Sequence, residues 1–110
     1  MRDAKADLLQ GTLDLLVLKT LTLAPLHGWA ISKRIRERSD EALQVNQGSL
    51  YPALYRLEDR GWIVGEAGKS SEGRAIKIYR LSATGRRQLQ REVATWQLFA
   101  SAVNNVLRPV

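Results

Sequence analysis

The sequence predicts a mainly α-helical fold with one small β-hairpin and a long helix at its end. Three observations predict it. Apolar residues recur at helical spacing in three successive segments up to residue 60. After Gly61, two short strand-like stretches flank a glycine- and serine-bearing loop. Residues 82–107 then carry an apolar seam spaced alternately four and three.

The first helix is expected over 12–24. Leu9, Leu13, Leu16, Val17 and Leu21 recur near helical spacing, and Pro25 stops it, because proline disfavours helix in the residue before it. Gly28 opens a second helix from Trp29 to Arg38. Ile31 and Ile35 form its apolar stripe, Lys33, Arg34, Arg36 and Arg38 surround it, and Ser39-Asp40 closes it. A third helix is expected over 46–60, with Leu50, Leu54 and Leu57 on one face. Ser49 is read as its N-cap. That would make Pro52 third in the helix, where the backbone N–H has no intrahelical acceptor to lose. Gly61 ends the helix as a left-handed cap.

Strands are expected at 62–66 and 75–81. In the second, Ile76, Ile78 and Arg80 alternate with Lys77, Tyr79 and Leu81, so one face turns inward. The loop 67–74 reads as a mobile tip. Ser82 or Thr84 can cap the last helix. Its seam runs Leu89, Val93, Trp96, Ala100, Val103 and Leu107, widened by Phe99 and Val106. Such a seam is a dimerisation stripe, dividing the chain into a body at 1–81 and a dimerisation helix at 82–110.

Composition narrows the function. The chain has 110 residues, which suits one compact unit with a small core. Its formal net charge of +6 fits a polyanionic partner, since Lys and Arg on phosphates release counterions. There is no cysteine, which excludes disulfides and thiolate metal sites. No apolar run is long enough for a membrane span, and the first seven residues do not read as a signal peptide, so a cytoplasmic location is expected. His27 is the one histidine and reads as a cap or turn residue, so no metal or cofactor is expected. Glu58 and Asp59 are adjacent on a helix and point apart, and no acid/base pair or phosphate-cradling loop suggests an enzyme.

Helix, helix, helix, strand, loop, strand, long helix is the order of a winged helix-turn-helix. A helix fits the major groove of B-DNA, and a hairpin can reach flanking phosphates. On the third helix, Tyr51, Tyr55 and Arg56 fall away from the leucine stripe. Arg56 is placed to read a base and the tyrosines to bond phosphates, with Gln47 and Ser49 adding contacts at the helix start. Lys69, Ser70, Arg74 and Lys77 are the corresponding wing residues. Lys33, Arg34 and Arg36 either touch phosphates or form a solvated face. A basic module that binds RNA or a protein remains the alternative to a DNA regulator, because fold does not fix function.

Specific runs sharpen this. His27-Gly28-Trp29-Ala30-Ile31, Gly48-Ser49-Leu50-Tyr51-Pro52-Ala53-Leu54-Tyr55-Arg56-Leu57-Glu58, Gly61-Trp62-Ile63 and Tyr79-Arg80-Leu81-Ser82 with Thr84-Gly85 resemble the PadR family of transcriptional regulators, in its short-tailed branch. The resemblance covers about residues 8–92. It implies homodimers held by the terminal helix, a roughly palindromic double-stranded operator, and repression relieved by a small ligand. Trp29 stands where a tyrosine is commoner, a change read as one of packing. Trp96 and Phe99 read first as dimer packing; the sharper reading is that they line a cavity for a flat aromatic ligand.

Overall fold

The computed structural model describes residues 10–110, so Leu9 and the first seven residues lie outside the described part. The order is α1 (Gln10–Thr20), β1 (Leu26–His27), α2 (Gly28–Arg38), α3 (Gln47–Asp59), β2 (Ile63–Lys69), β3 (Ala75–Leu81) and α4 (Ala83–Leu107). The three strands form one antiparallel sheet in the order β1-β3-β2. The architecture is the expected mainly α winged helix.

The helical stripes converge on one core. Leu13, Val17 and Leu18 of α1 and Leu21 just after it meet Ile31 and Ile35 of α2 and Leu50, Ala53, Leu54 and Leu57 of α3; Ile63, Tyr79 and Leu81 close it from the sheet, and Leu89 from α4. Burying such aliphatic side chains contributes about 1.5–3 kcal/mol each before the entropy of ordering them is subtracted.

The element ends differ from the expectation where short polar side chains act. α1 ends at Thr20, before Pro25. The Thr20 hydroxyl donates to the Leu16 carbonyl at 2.7 Å and Thr22 to that of Lys19 at 2.7 Å, closing the last turn. The chain then extends, and β1 pairs Leu26 with Tyr79 and His27 with Ile78.

The cap of α3 is Asn46, not Ser49. The Asn46 side chain accepts from the Ser49 N–H at 2.8 Å. Counting from Gln47, Pro52 is therefore sixth, inside the helix, and leaves the carbonyl of exposed Gly48 to water. At the other end Gly61 takes φ +76°. The Trp62 N–H bonds Leu57 O at 3.0 Å and the Gly61 N–H bonds Glu58 O at 3.0 Å, a complete Schellman closure.

α4 is seated on that closure. Ser82 is its cap: its hydroxyl accepts from the Gly85 N–H at 2.9 Å and donates toward Gly61 O at 2.6 Å, while its N–H bonds Trp62 O at 3.0 Å. A side chain at Gly85 would collide with the Trp62 carbonyl oxygen, so the helix can lie this close only over glycine.

The hairpin is longer and its tip tighter than expected. β2 reaches Lys69. The turn Ser70–Arg74 is closed by Ser70 N–H to Arg74 O at 2.9 Å, by Arg74 N–H to Ser70 Oγ at 3.1 Å and by Gly73 at φ +81°.

Candidate nucleic-acid interface

α3 turns one ridge to solvent. Gln47, Tyr51 and Tyr55 are spaced by four, so they lie along one line of the helix, about a quarter turn round from Leu50, Leu54 and Leu57. Tyr55 is 72% exposed and Tyr51 42%. Ser49 is exposed in the first turn, on the flank of this ridge.

Arg56 does not join them. Its guanidinium Nη2 donates to Asp14 Oδ1 of α1 at 2.8 Å, and the Asp14 side chain is nearly buried. Its Nε is buried with no partner among the described residues. The physical reason is the core: Asp14 sits on a helix otherwise packed with leucine and valine, and a buried carboxylate needs a cationic, hydrogen-bonding partner. Arg56, one turn from the end of α3 and on the flank facing α1, supplies it. The expectation of a base-reading Arg56 is thus corrected to a strut between α1 and α3.

Lys77 is also engaged. Its Nζ lies 2.8 Å from Glu58 Oε1 and 5.5 Å from the Tyr79 ring centroid. Gly65 makes this possible, because a Cβ there would occupy the path of the Lys77 chain across β2. The hydrogen bond to Glu58 raises the Lys77 pKa above its ordinary value, and burial raises that of the Tyr79 hydroxyl. At the tip, Lys69 and Arg74 are exposed, and the Ser70 hydroxyl is used in closing the turn.

His27 occupies the N-cap position of α2, but its side chain caps nothing. Its ring lies 6.1 Å from that of Trp29. Trp29 is 56% exposed, with Lys33 Nζ 5.1 Å above its ring. The packing role read for Trp29 is corrected accordingly: it stands on the surface at the start of α2.

Of the seam on α4, Leu89 is buried in its own chain's core, and Val93 is half-buried and packs against that core. From Trp96 onward the face is open: Trp96, Phe99, Val103, Val106 and Leu107 are exposed and Ala100 is half-buried. Trp96 and Phe99, with ring centroids 6.1 Å apart, border an apolar cleft of about 310 Å³ whose far wall is Gly11, Thr12 and Leu15 of α1.

Residues 17–91 match the model of the Transcriptional regulator PadR-like family. The chain belongs to that family. The PadR-like match starts in α1 and ends in α4 before Trp96. A transcriptional regulator of Mycobacterium tuberculosis is 41% identical over 54 residues, about half of each chain. The solved structure of a transcriptional regulator from Clostridium thermocellum is 27% identical at a TM-score of 0.82, covering 90% of this chain and 96% of the other. A PadR-like transcriptional regulator from Bacillus cereus is 27% identical at a TM-score of 0.76, covering 92% and 96%. The protein is therefore a transcriptional regulator whose family acts by binding DNA, and PadR-like regulators are generally not enzymes. Among the described residues there is no cluster of metal-ligating side chains and no helix long and apolar enough to cross a membrane.

His27 and Tyr79 are brought together by the pairing of β1 with β3. A two-residue strand is too short for period-two alternation, so the one sequence signal for it is the His27-Gly28 pair after Pro25.

Proposed function

We propose that the protein is a homodimeric repressor that binds a roughly palindromic operator, with α3 of each subunit in successive major grooves. The observation that carries this reading is the pairing, in one small chain, of a solvent-facing Gln47/Tyr51/Tyr55 ridge with an uncovered apolar face on α4 from Trp96 to Leu107. The first implies a groove reader. The second implies a partner, because exposed contiguous apolar surface is unfavourable in water. A second copy supplies the same stripe and closes the contact by two-fold symmetry. The two readers would then lie about 34 Å apart, one turn of B-DNA.

In this reading Gln47, Tyr51 and Tyr55 face the groove, with Ser49 at the helix start. Lys69, Ser70, Arg74 and Lys77 serve flanking backbone. The winged-helix body extends through the first turns of α4, up to Val93, and the free part of the helix sets the spacing. The test is a mobility-shift titration against promoter DNA upstream of the protein's own gene, at two salt concentrations with excess competitor, beside sedimentation of the free protein. A dimer whose shift survives competitor supports the reading. A monomer that binds the operator tightly overturns it.

The cleft beside Trp96 and Phe99 favours an added regulatory reading: a flat aromatic compound binds there, between α1 and α4, and repositions the dimer helix. Titration with planar aromatic compounds should quench tryptophan emission in the parent chain and not in Trp96→Ala. Quenching that persists in Trp96→Ala rules this out.

A further inference from the structure

A cleft of about 200 Å³ lies where the start of α2, α3 and strand β3 meet, bordered by His27, Gly28 and Tyr51 and, along β3, by Ala75, Ile76, Lys77 and Tyr79. We propose that this cleft seats one phosphodiester of the DNA backbone, fixing the register of the protein where β3 passes the start of α2. The proposal rests on the DNA-binding reading above and gives it a specific anchor.

Four observations meet there. The Tyr79 side chain is packed, at 6% exposed, but its hydroxyl is not a sealed, unpaired group: it keeps access to water where it borders the cleft. An accessible phenol hydroxyl is free to donate to a ligand there. The Tyr51 hydroxyl is held against the first turn of α2, where a Cβ on Gly28 would lie 2.9 Å from it; the bare glycine makes room for that oxygen. The N-terminus of α2 has no side-chain cap, so its first backbone N–H groups remain available and favour negative charge. Lys77 Nζ stands beside the Tyr79 ring and keeps N–H donors beyond the one given to Glu58.

The donor set selects the ligand. Phenol hydroxyls, helix amides and an ammonium all donate, which suits the oxygens of a phosphate and offers little to a base edge, where donors and acceptors alternate. The Glu58 carboxylate reaches this region through its bond to Lys77, and that bond offsets its repulsion of an anion. The cleft adjoins Tyr51 on the exposed ridge of α3, so a phosphate held here flanks the groove that α3 would enter.

The test uses the full chain, a short mixed-sequence duplex and fluorescence anisotropy at low salt. Tyr51→Phe combined with Tyr79→Phe removes two oxygens and no charge. It should weaken duplex binding by about tenfold with an unchanged salt slope and an unchanged melting temperature. Lys69→Gln with Arg74→Gln, at the wing tip, should instead flatten the salt slope. In amide-resolved NMR the Gly28 N–H should shift on duplex addition, and less so in the double phenylalanine variant. Duplex binding as tight as the parent's in that variant overturns the seat while leaving the regulator reading intact. A Gly28 shift produced by inorganic phosphate alone, without any loss of duplex affinity in the variant, assigns the cleft to free phosphate and overturns the backbone seat. A parent chain that binds no duplex at all overturns both.

Discussion

Gly85 and Asp14 show how single residues hold the reader in place. A methyl at Gly85 would meet the Trp62 carbonyl, which is backbone and cannot rotate away. Gly85→Ala should therefore lower stability by about 1–3 kcal/mol, read as a drop in the thermal midpoint. Asp14 and Arg56 form the one tie of opposite charge between α1 and α3 among the described residues. Asp14→Asn leaves an acceptor but removes the charge, and should cost about 1–2 kcal/mol by chemical denaturation. Arg56→Ala should lose stability as well as DNA affinity; a variant as stable as the parent but weaker on DNA would return Arg56 to the groove. In the turn after α2, Asp40 and Glu41 hold φ of 52° and 67°. Left-handed backbone costs roughly 1 kcal/mol in a side chain such as Glu, so Glu41→Gly should stabilise the protein despite the loss of its exposed contact with Arg36.

At the scale of elements, α4 does two jobs along its length. Its first turns are core, through Leu89, and its later turns are an open stripe. Substitutions should divide accordingly. Leu89→Asp should unfold the body, because it places a charge among buried leucines. Phe99→Asp with Val103→Asp should leave the melting transition of the body in place and yield a monomer in sedimentation, with operator binding lost alongside. A dimer that survives this pair would show that the stripe is covered by something else. The hairpin is likewise divided: its root carries Tyr79 and Leu81 into the core, and its tip carries exposed polar and charged residues, Lys69, Glu72 and Arg74 among them.

At the scale of the whole molecule, length and charge set the expectations. The chain spans 58 × 32 × 21 Å, drawn out by α4. With a formal net charge of +6, affinity for any duplex should fall steeply with salt, by close to one unit of log–log slope per phosphate contacted. A specific operator should keep an advantage over competitor DNA at every salt concentration, since base contacts are screened far less than phosphate contacts. Parallel decline of both to nothing would indicate a generic basic module.

The helical stripes of α2 and α3, the glycine stop at Gly61, the strand 75–81 and the long last helix were all readable from residue order, because each is a local pattern of period 3.6 or 2 or a backbone geometry that one residue type favours. The open ridge on α3 followed from the same periodicity. Tertiary structure decided what periodicity cannot carry. Arg56 lies off the leucine stripe in sequence, yet a carboxylate 42 residues earlier turns it inward. Asn46 took the cap that Ser49 was read to hold, since either residue type suits the position and the start of the helix depends on where the chain emerges from the preceding loop. Leu89 and Val103 are indistinguishable along the seam; only the reach of the body along α4 makes one core and the other surface. The cleft between α2, α3 and β3 joins residues 27, 51 and 79, which come together through strand pairing and helix docking, both of them long-range contacts that no local pattern encodes.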